Sequence, residues 1–204
     1  MNAVLLISAA ILGFLAFFEP CTIATHTIFA ARAGRDTARQ RWSALAQLLL
    51  SRIALLATIF GMAAWVGLED FSTREAMAVL SAMAAIYLIS RWIYLPVPHI
   101  EFFRLIPRHG RLAQGLKLGL TLPACTLPLV AVVGILSALT QRPDMAMLAG
   151  LAFAGMFSLP TVWDSTHGFD AAHRAFLSKA AAASPYLTAL LLWSGALLIW
   201  RTRV

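Results

Sequence analysis

Six apolar segments, joined by short polar connections, constrain the fold of this chain more than any other feature. A helix that crosses a hydrocarbon core of ~30 Å needs roughly 20 apolar residues. The chain is 60% hydrophobic, whereas a soluble domain is nearer 45–50% apolar. We therefore predict an all-α membrane protein with six transmembrane helices, forming a single domain over residues 1–204 within the lipid bilayer. The six segments cover about 4–30, 42–66, 76–95, 112–139, 145–163 and 185–200.

Basic residues are distributed unevenly among the connections. The connections after the second and fourth segments carry one arginine each, and those after the first, third and fifth carry more basic residues. Because basic loops stay in the cytoplasm, we predict a bacterial inner-membrane protein with both termini on the extracytoplasmic side. The same topology signal accounts for the formal net charge of +7 without a nucleic-acid partner.

The six predicted spans divide into two halves of three, over about 1–95 and 112–204, with a cytoplasmic linker over about 96–111. An odd number of spans in each half makes the halves inverted with respect to the membrane, as in transporters with inverted repeats. Within the linker, the amphipathic stretch 100–106 is expected to lie at the membrane interface. We expect 164–184 to be a polar loop and Ser184–Pro185 to start the last span as N-cap and first helical residue.

The two cysteines lie in the first segment of each half, beside prolines. Pro20 precedes Cys21, whereas Pro123 and Pro128 flank Cys125. A proline inside a helix removes a hydrogen bond and bends the helix. At membrane depth, the backbone freed in this way has to face protein or a water-filled cavity. We therefore expect helices 1 and 4 to be broken by these prolines, with each cysteine facing a cavity.

The residues alone leave two interpretations of the cysteines open. Each cysteine can be a small apolar filler, or the two can form a redox pair. At ~1.5 Å per residue, both lie roughly 15–20 Å deep, near the middle of a ~30 Å core. They can meet if helices 1 and 4 are neighbours, since a disulfide needs Cα atoms within ~7 Å. Equivalent placement beside mid-span prolines in both halves favours the redox pair.

Three ionisable residues accompany Cys21 at membrane depth. Because intramembrane charges usually pair, we predict an ion pair between Glu19 and Arg52. Glu19 alternatively handles protons or tunes the thiol. His26 is interpreted as a proton acceptor or metal ligand near Cys21, or as a hydrogen-bonded histidine at the cytoplasmic mouth. Acidic and histidine residues that recur every three positions before the last span are expected to form a solvated helix face: Asp164, His167, Asp170 and His173.

Two sequence segments resemble a known family. The stretches GFLAFFEPC, ending at Cys21, and GLTLPACTLP, which contains Cys125, are similar to the CcdA/DsbD family of transmembrane thiol–disulfide reductases. That family is also described as the cytochrome c biogenesis protein transmembrane region. The chain would be a divergent member, since Ala24 and Ala124 occupy positions where the family usually has proline. The resemblance implies that Cys21 and Cys125 are the catalytic redox pair and that the neighbouring prolines shape their helices.

The resemblance also implies a function. Such an oxidoreductase passes reducing equivalents from cytoplasmic thioredoxin to an extracytoplasmic thioredoxin-like or cytochrome c maturation protein. It uses the redox-active cysteine pair and no other cofactor or metal. The alternative is a small metal or metalloid transporter that binds its ion with Cys21, Cys125 and His26, since soft metals prefer thiolates. A reductase must cycle between dithiol and disulfide, whereas a transporter needs reduced thiols.

Overall fold

The computed structural model describes residues 2–67, 73–89, 99–106, 113–168 and 171–201. In these residues the chain is almost entirely helical, which confirms the all-α prediction. The helices are α1 (Asn2–Phe17), α2 (Pro20–Ala33), α3 (Ala38–Val66), α4 (Thr73–Ile89), α5 (Gln114–Gly119), α6 (Leu127–Thr140), α7 (Pro143–His167) and α8 (Ala171–Arg201). Two short strands, β1 (Ile100–Glu101) and β2 (Thr121–Leu122), and two 3-10 turns, Phe102–Leu105 and Ala124–Thr126, complete the described elements.

Several of these helices have the length and composition of membrane spans. They are α3, α7 and the part of α8 over Ala175–Ser194. The consecutive helices α1 and α2 add a fourth candidate if they count as one span, bent by 73°. The protein is therefore a multi-pass membrane protein, with three to four candidate spans in the described residues where six were predicted. The third predicted segment runs into residues 90–95, which lie outside the described part.

The long apolar helices α3 and α7 pack against each other, whereas α4 and α8 pack mainly on one another. Helix α1 packs on α7, whereas α5 and α6 pack on α3, so each cysteine-bearing segment lies against the long helix of the other half. A glycine permits the close approach of α3 and α7, because a Cβ at Gly150 would lie 2.6 Å from the backbone of Ala57. The side chains of Leu56, Phe60 and Phe153 are fully buried in the core around this contact.

Both cysteine-bearing segments are broken where the prolines predict. Helix α1 ends at Phe17 and α2 begins at Pro20, whose missing N–H would have no helical partner at this position. In the second half, helical structure stops after α5 and resumes at α6, and the buried Pro123 lies between them. Pro128 occupies the first turn of α6. The breaks place the two cysteines at starts of helical structure rather than in helix interiors.

A strand pair completes the backbone hydrogen bonds of the second break. Strand β1 pairs antiparallel with β2, with Glu101 opposite Thr121. The Phe102 N–H also donates to the Leu120 carbonyl at 3.0 Å. Non-helical backbone at membrane depth is tolerated where protein groups satisfy it. The stretch predicted to be an amphipathic interface segment therefore docks, as a strand and a 3-10 turn, on the broken helix that carries Cys125.

The predicted polar loop over 164–184 is wrong. Helix α7 continues to His167 and α8 already begins at Ala171, so Pro185 lies inside α8 rather than at its start. The run of alanines before Ser184 has high helix propensity, and a proline within a membrane helix is tolerated when neighbouring groups satisfy the freed backbone. Ser184 is therefore a mid-helix residue and not an N-cap.

The predicted solvated face is also wrong at Asp164, which is buried in α7. His167 ends the same helix and is exposed, and its ring stacks on Trp163 with centroids 4.0 Å apart. Asp170 and the side chain of His173 lie outside the described part of the chain.

Candidate functional site

Cys21 and Cys125 form a disulfide bond that joins the two broken segments. Their Cα atoms lie 6.7 Å apart although 104 positions separate them in the sequence. Cys21 belongs to the first turn of α2, and Cys125 to the 3-10 turn that leads into α6. Both residues are half-buried. The two helix breaks therefore bring the sulfurs together and leave part of each cysteine accessible.

The two sulfurs have different electrostatic surroundings. Cys21 follows Pro20 at the start of a 14-residue helix, where backbone N–H groups have no helical acceptor and the helix dipole places partial positive charge. This position stabilises negative charge on the Cys21 sulfur when the disulfide opens. Cys125 precedes its helix within a three-residue 3-10 turn, so it receives less of this stabilisation.

Each cysteine is followed by a fully buried threonine. The hydroxyl oxygen of Thr22 lies 3.8 Å from the Cys125 sulfur, and since a disulfide sulfur carries no proton, the hydroxyl is the donor. The hydroxyl of Thr126 instead donates to the Pro123 carbonyl at 2.8 Å, one of the backbone groups released by the break. The Cys–Thr dipeptide is visible in the sequence, but these two roles were not predicted.

Arg52 is completely buried and contacts three other helices. Its guanidinium donates to the Ser158 hydroxyl at 3.1 Å, to the Leu118 carbonyl at 3.2 Å and to His26 Nε2 at 3.1 Å. Its Cζ atom lies 4.2 Å from the centroid of the Phe157 ring, a cation–π distance. Arg52 therefore links α3 to α7 and to both cysteine-bearing segments, through α2 and α5. Sequence reasoning missed Leu118 and Ser158, which look like ordinary residues of apolar segments.

The hydrogen bonds of His26 define its protonation. Because arginine is only a donor, His26 Nε2 must accept, and Nδ1 carries the proton that is donated to Thr161 Oγ1 at 2.5 Å. The neutral ring also stacks on Phe157, with centroids 5.3 Å apart. This is the geometry of the predicted hydrogen-bonded histidine. Both ring nitrogens of His26 are therefore engaged in hydrogen bonds to protein groups.

The predicted ion pair between Glu19 and Arg52 is wrong. Glu19 is 2% exposed and its carboxylate accepts a hydrogen bond from the Ser184 hydroxyl of α8 at 3.0 Å. Glu19 lies at the kink between α1 and α2, and its carboxylate contacts α8 rather than α3. Ion pairs occur at other positions, between Glu101 and Arg104 and between Arg142 and Asp144.

This arrangement suits thiol–disulfide exchange. The disulfide is partly accessible. The Thr22 hydroxyl lies beside the Cys125 sulfur, and Cys21 lies at the start of α2. The first segment also carries the buried ionisable residues Glu19 and His26. The residues that carry it come from both halves of the chain. Comparisons with protein-family models, with curated proteins and with solved structures found no match to this chain.

Proposed function

We propose that this protein is a membrane-embedded thiol–disulfide oxidoreductase whose redox centre is the Cys21–Cys125 pair. The observation that carries the proposal is the disulfide between two cysteines that each lie at a helix break. Exchange requires an attacking thiolate to reach a disulfide sulfur, and a cysteine in an unbroken lipid-facing helix offers no such path. The half-buried state of both cysteines supports this use of the breaks.

The proposed exchange begins when a donor thiolate attacks the Cys125 sulfur. The S–S bond breaks, a mixed disulfide forms, and Cys21 leaves as a thiolate that subsequently takes up a proton. Departure of Cys21 is favoured because the start of α2 stabilises its negative charge. The second donor thiol then attacks the mixed disulfide, which releases Cys125 and the oxidised donor. Two electrons and two protons move to the pair, and the reduced pair passes them to an acceptor disulfide in the same way.

The proposal extends to transfer across a membrane. In keeping with the CcdA/DsbD resemblance, the donor would be cytoplasmic thioredoxin and the acceptor an extracytoplasmic thioredoxin-like or cytochrome c maturation protein. The packing of each cysteine-bearing segment on the long helix of the other half supports an inverted-repeat arrangement, in which two related halves meet near the midplane. Six spans, an inner-membrane location and extracytoplasmic termini belong to this same proposal.

Thiol trapping in native membranes tests the proposed exchange. Membranes are quenched with acid and alkylated with a mass-tagged maleimide, with and without prior incubation with reduced thioredoxin. We expect no tag on the oxidised protein and two tags after thioredoxin, with dithiothreitol as the control for complete reduction. A pair that dithiothreitol reduces but thioredoxin does not would contradict the choice of donor. Two thiols that stay reduced under every oxidant would contradict the redox function itself.

A further inference from the structure

The guanidinium of Arg52 is a buried charge that pairs with no carboxylate in the described residues. Its contacts are a hydroxyl, a backbone carbonyl, a neutral histidine and an aromatic ring. Its Nε is buried and has no hydrogen-bond partner. An intramembrane charge is expensive to keep, and such charges usually serve function. None of these contacts is an anion. A thiolate anion forms at the cysteine pair when the disulfide is opened.

We propose that Arg52 is the counter-charge for the thiolate that forms at the cysteine pair, an inference that rests on the proposed redox function. His26 follows Cys21 by five residues, about 7.5 Å along α2, and Arg52 Nη2 lies 3.1 Å from its ring. On the other segment, Arg52 is bonded to Leu118, seven residues before Cys125. With the lateral reach of the His26 side chain included, the guanidinium lies roughly 10–15 Å from the pair.

A charge at this distance is large enough to matter. Two unit charges ~10–15 Å apart, in an effective dielectric constant of ~20, interact strongly enough to change an equilibrium roughly tenfold. The disulfide is neutral, so the attraction exists only after the pair is reduced. Arg52 therefore favours the reduced pair and increases its thiolate fraction without touching either sulfur.

The other buried ionisable groups on the surrounding helices do not provide this charge. His26 on α2 is neutral because Nε2 accepts from Arg52. Glu19 before α2 and Asp164 on α7 are carboxyl groups, which oppose a thiolate when ionised. Lys117 on α5 is only half-buried. Arg52 is thus the one fully buried cation in the part of the chain that the structure describes.

Alkylation rates of the reduced pair at two pH values test the counter-charge. In Arg52→Met, which keeps the length and removes the charge, we expect the rate at pH 7 to fall about three- to tenfold, because the smaller thiolate fraction is partly offset by higher intrinsic nucleophilicity. At pH 10 thiolates predominate, so the variant should react as fast as wild type or up to about threefold faster, because only the difference in intrinsic nucleophilicity remains. The equilibrium with dithiothreitol should also shift toward the disulfide, by an amount that grows with the thiolate fraction of the reduced pair and reaches about tenfold when the thiolate predominates.

Two further variants separate charge from position. Arg52→Lys keeps the charge and loses the bidentate geometry, so its ratio of rates at pH 7 and pH 10 should stay within twofold of wild type. Arg32→Met removes an exposed arginine from α2, whose charge is screened by solvent, and should also leave the ratio unchanged.

Specific results would overturn the proposal. A rate in Arg52→Met equal to that of wild type at pH 7, or an equal slowing at both pH values, would make Arg52 a purely structural residue. If Arg52→Met does not accumulate, Arg52→Gln also removes the charge, and a ratio equal to that of wild type would have the same meaning. The assay needs no thioredoxin. An Arg52-dependent ratio in a protein whose thiols stay reduced under every oxidant would therefore support the counter-charge and contradict the proposed function.

Discussion

Replacement of Gly119 by alanine should separate the two cysteines while leaving most of the fold intact. Gly119 ends α5, six residues before Cys125, and packs against α3. A Cβ at this position would lie 2.6 Å from the Leu48 carbonyl oxygen. An ordinary carbon–oxygen contact is ~3.3 Å, so α5 has to move away from α3 by roughly 0.7 Å.

This displacement is comparable to the tolerance of the disulfide. The Cα atoms of the pair are 6.7 Å apart, at the upper end of the usual ~4.4–6.8 Å. We therefore expect Gly119→Ala to lower the fraction of disulfide-bonded protein at least severalfold, with an overpacking cost of about 1–3 kcal/mol.

Maleimide tagging without reductant measures the disulfide fraction directly. Gly134→Ala in α6 is the matched control, because a Cβ there has no neighbour within 4 Å, and it should leave the disulfide fraction unchanged. If Gly119→Ala forms the disulfide as completely as wild type, the contact between α5 and α3 does not set the position of Cys125. An equal loss in both variants would point to a general effect of added methyl groups.

Three other substitutions give separate tests. With 5-thio-2-nitrobenzoate first attached to the remaining cysteine as a leaving group, Cys21→Ala should form a mixed disulfide with a thioredoxin that lacks its second cysteine, and Cys125→Ala treated in the same way much less; equal trapping in both would refute the assignment of the attacked sulfur. Thr22→Val should retain the disulfide and slow its exchange two- to tenfold in stopped-flow measurements, because the hydroxyl beside Cys125 is lost; an unchanged rate would remove Thr22 from the site. Ser184→Ala should lower the free energy of unfolding by about 1–3 kcal/mol, since it leaves the Glu19 carboxylate buried without this donor; an unaltered thermal transition would argue against the bond.

The helix breaks could be predicted from the sequence because proline acts locally. Pro20 and Pro123 each remove a backbone donor wherever the helix lies, which favours a break, although Pro185 shows that a helix can also continue through a proline. The proximity of Cys21 and Cys125 was harder to predict. Counting residues along a helix gives the depth of each cysteine in the membrane, but it does not say which helix lies beside it. Their disulfide depends on which helices pack together, and that required the structure.

The wrong predictions share a physical cause. Glu19 and Arg52 lie at similar depth, but depth says nothing about the direction of a side chain around a kinked helix. Pro185 was taken as a helix start because local rules favour that position, whereas the helical residues before it are stabilised by packing of α8 on α4. The partners of Arg52 are small polar or backbone groups from distant segments, which carry no local signal.

The central claim is that the Cys21–Cys125 pair cycles between disulfide and dithiol in exchange with protein thiols. The most direct test is mass spectrometric quantification of the linked Cys21–Cys125 peptide in membranes, before and after reduced thioredoxin and again after an oxidised thioredoxin-like acceptor. We predict that the linked peptide disappears with thioredoxin and returns with the acceptor. A linked peptide that persists through both additions, in membranes where dithiothreitol removes it, would contradict the redox cycle.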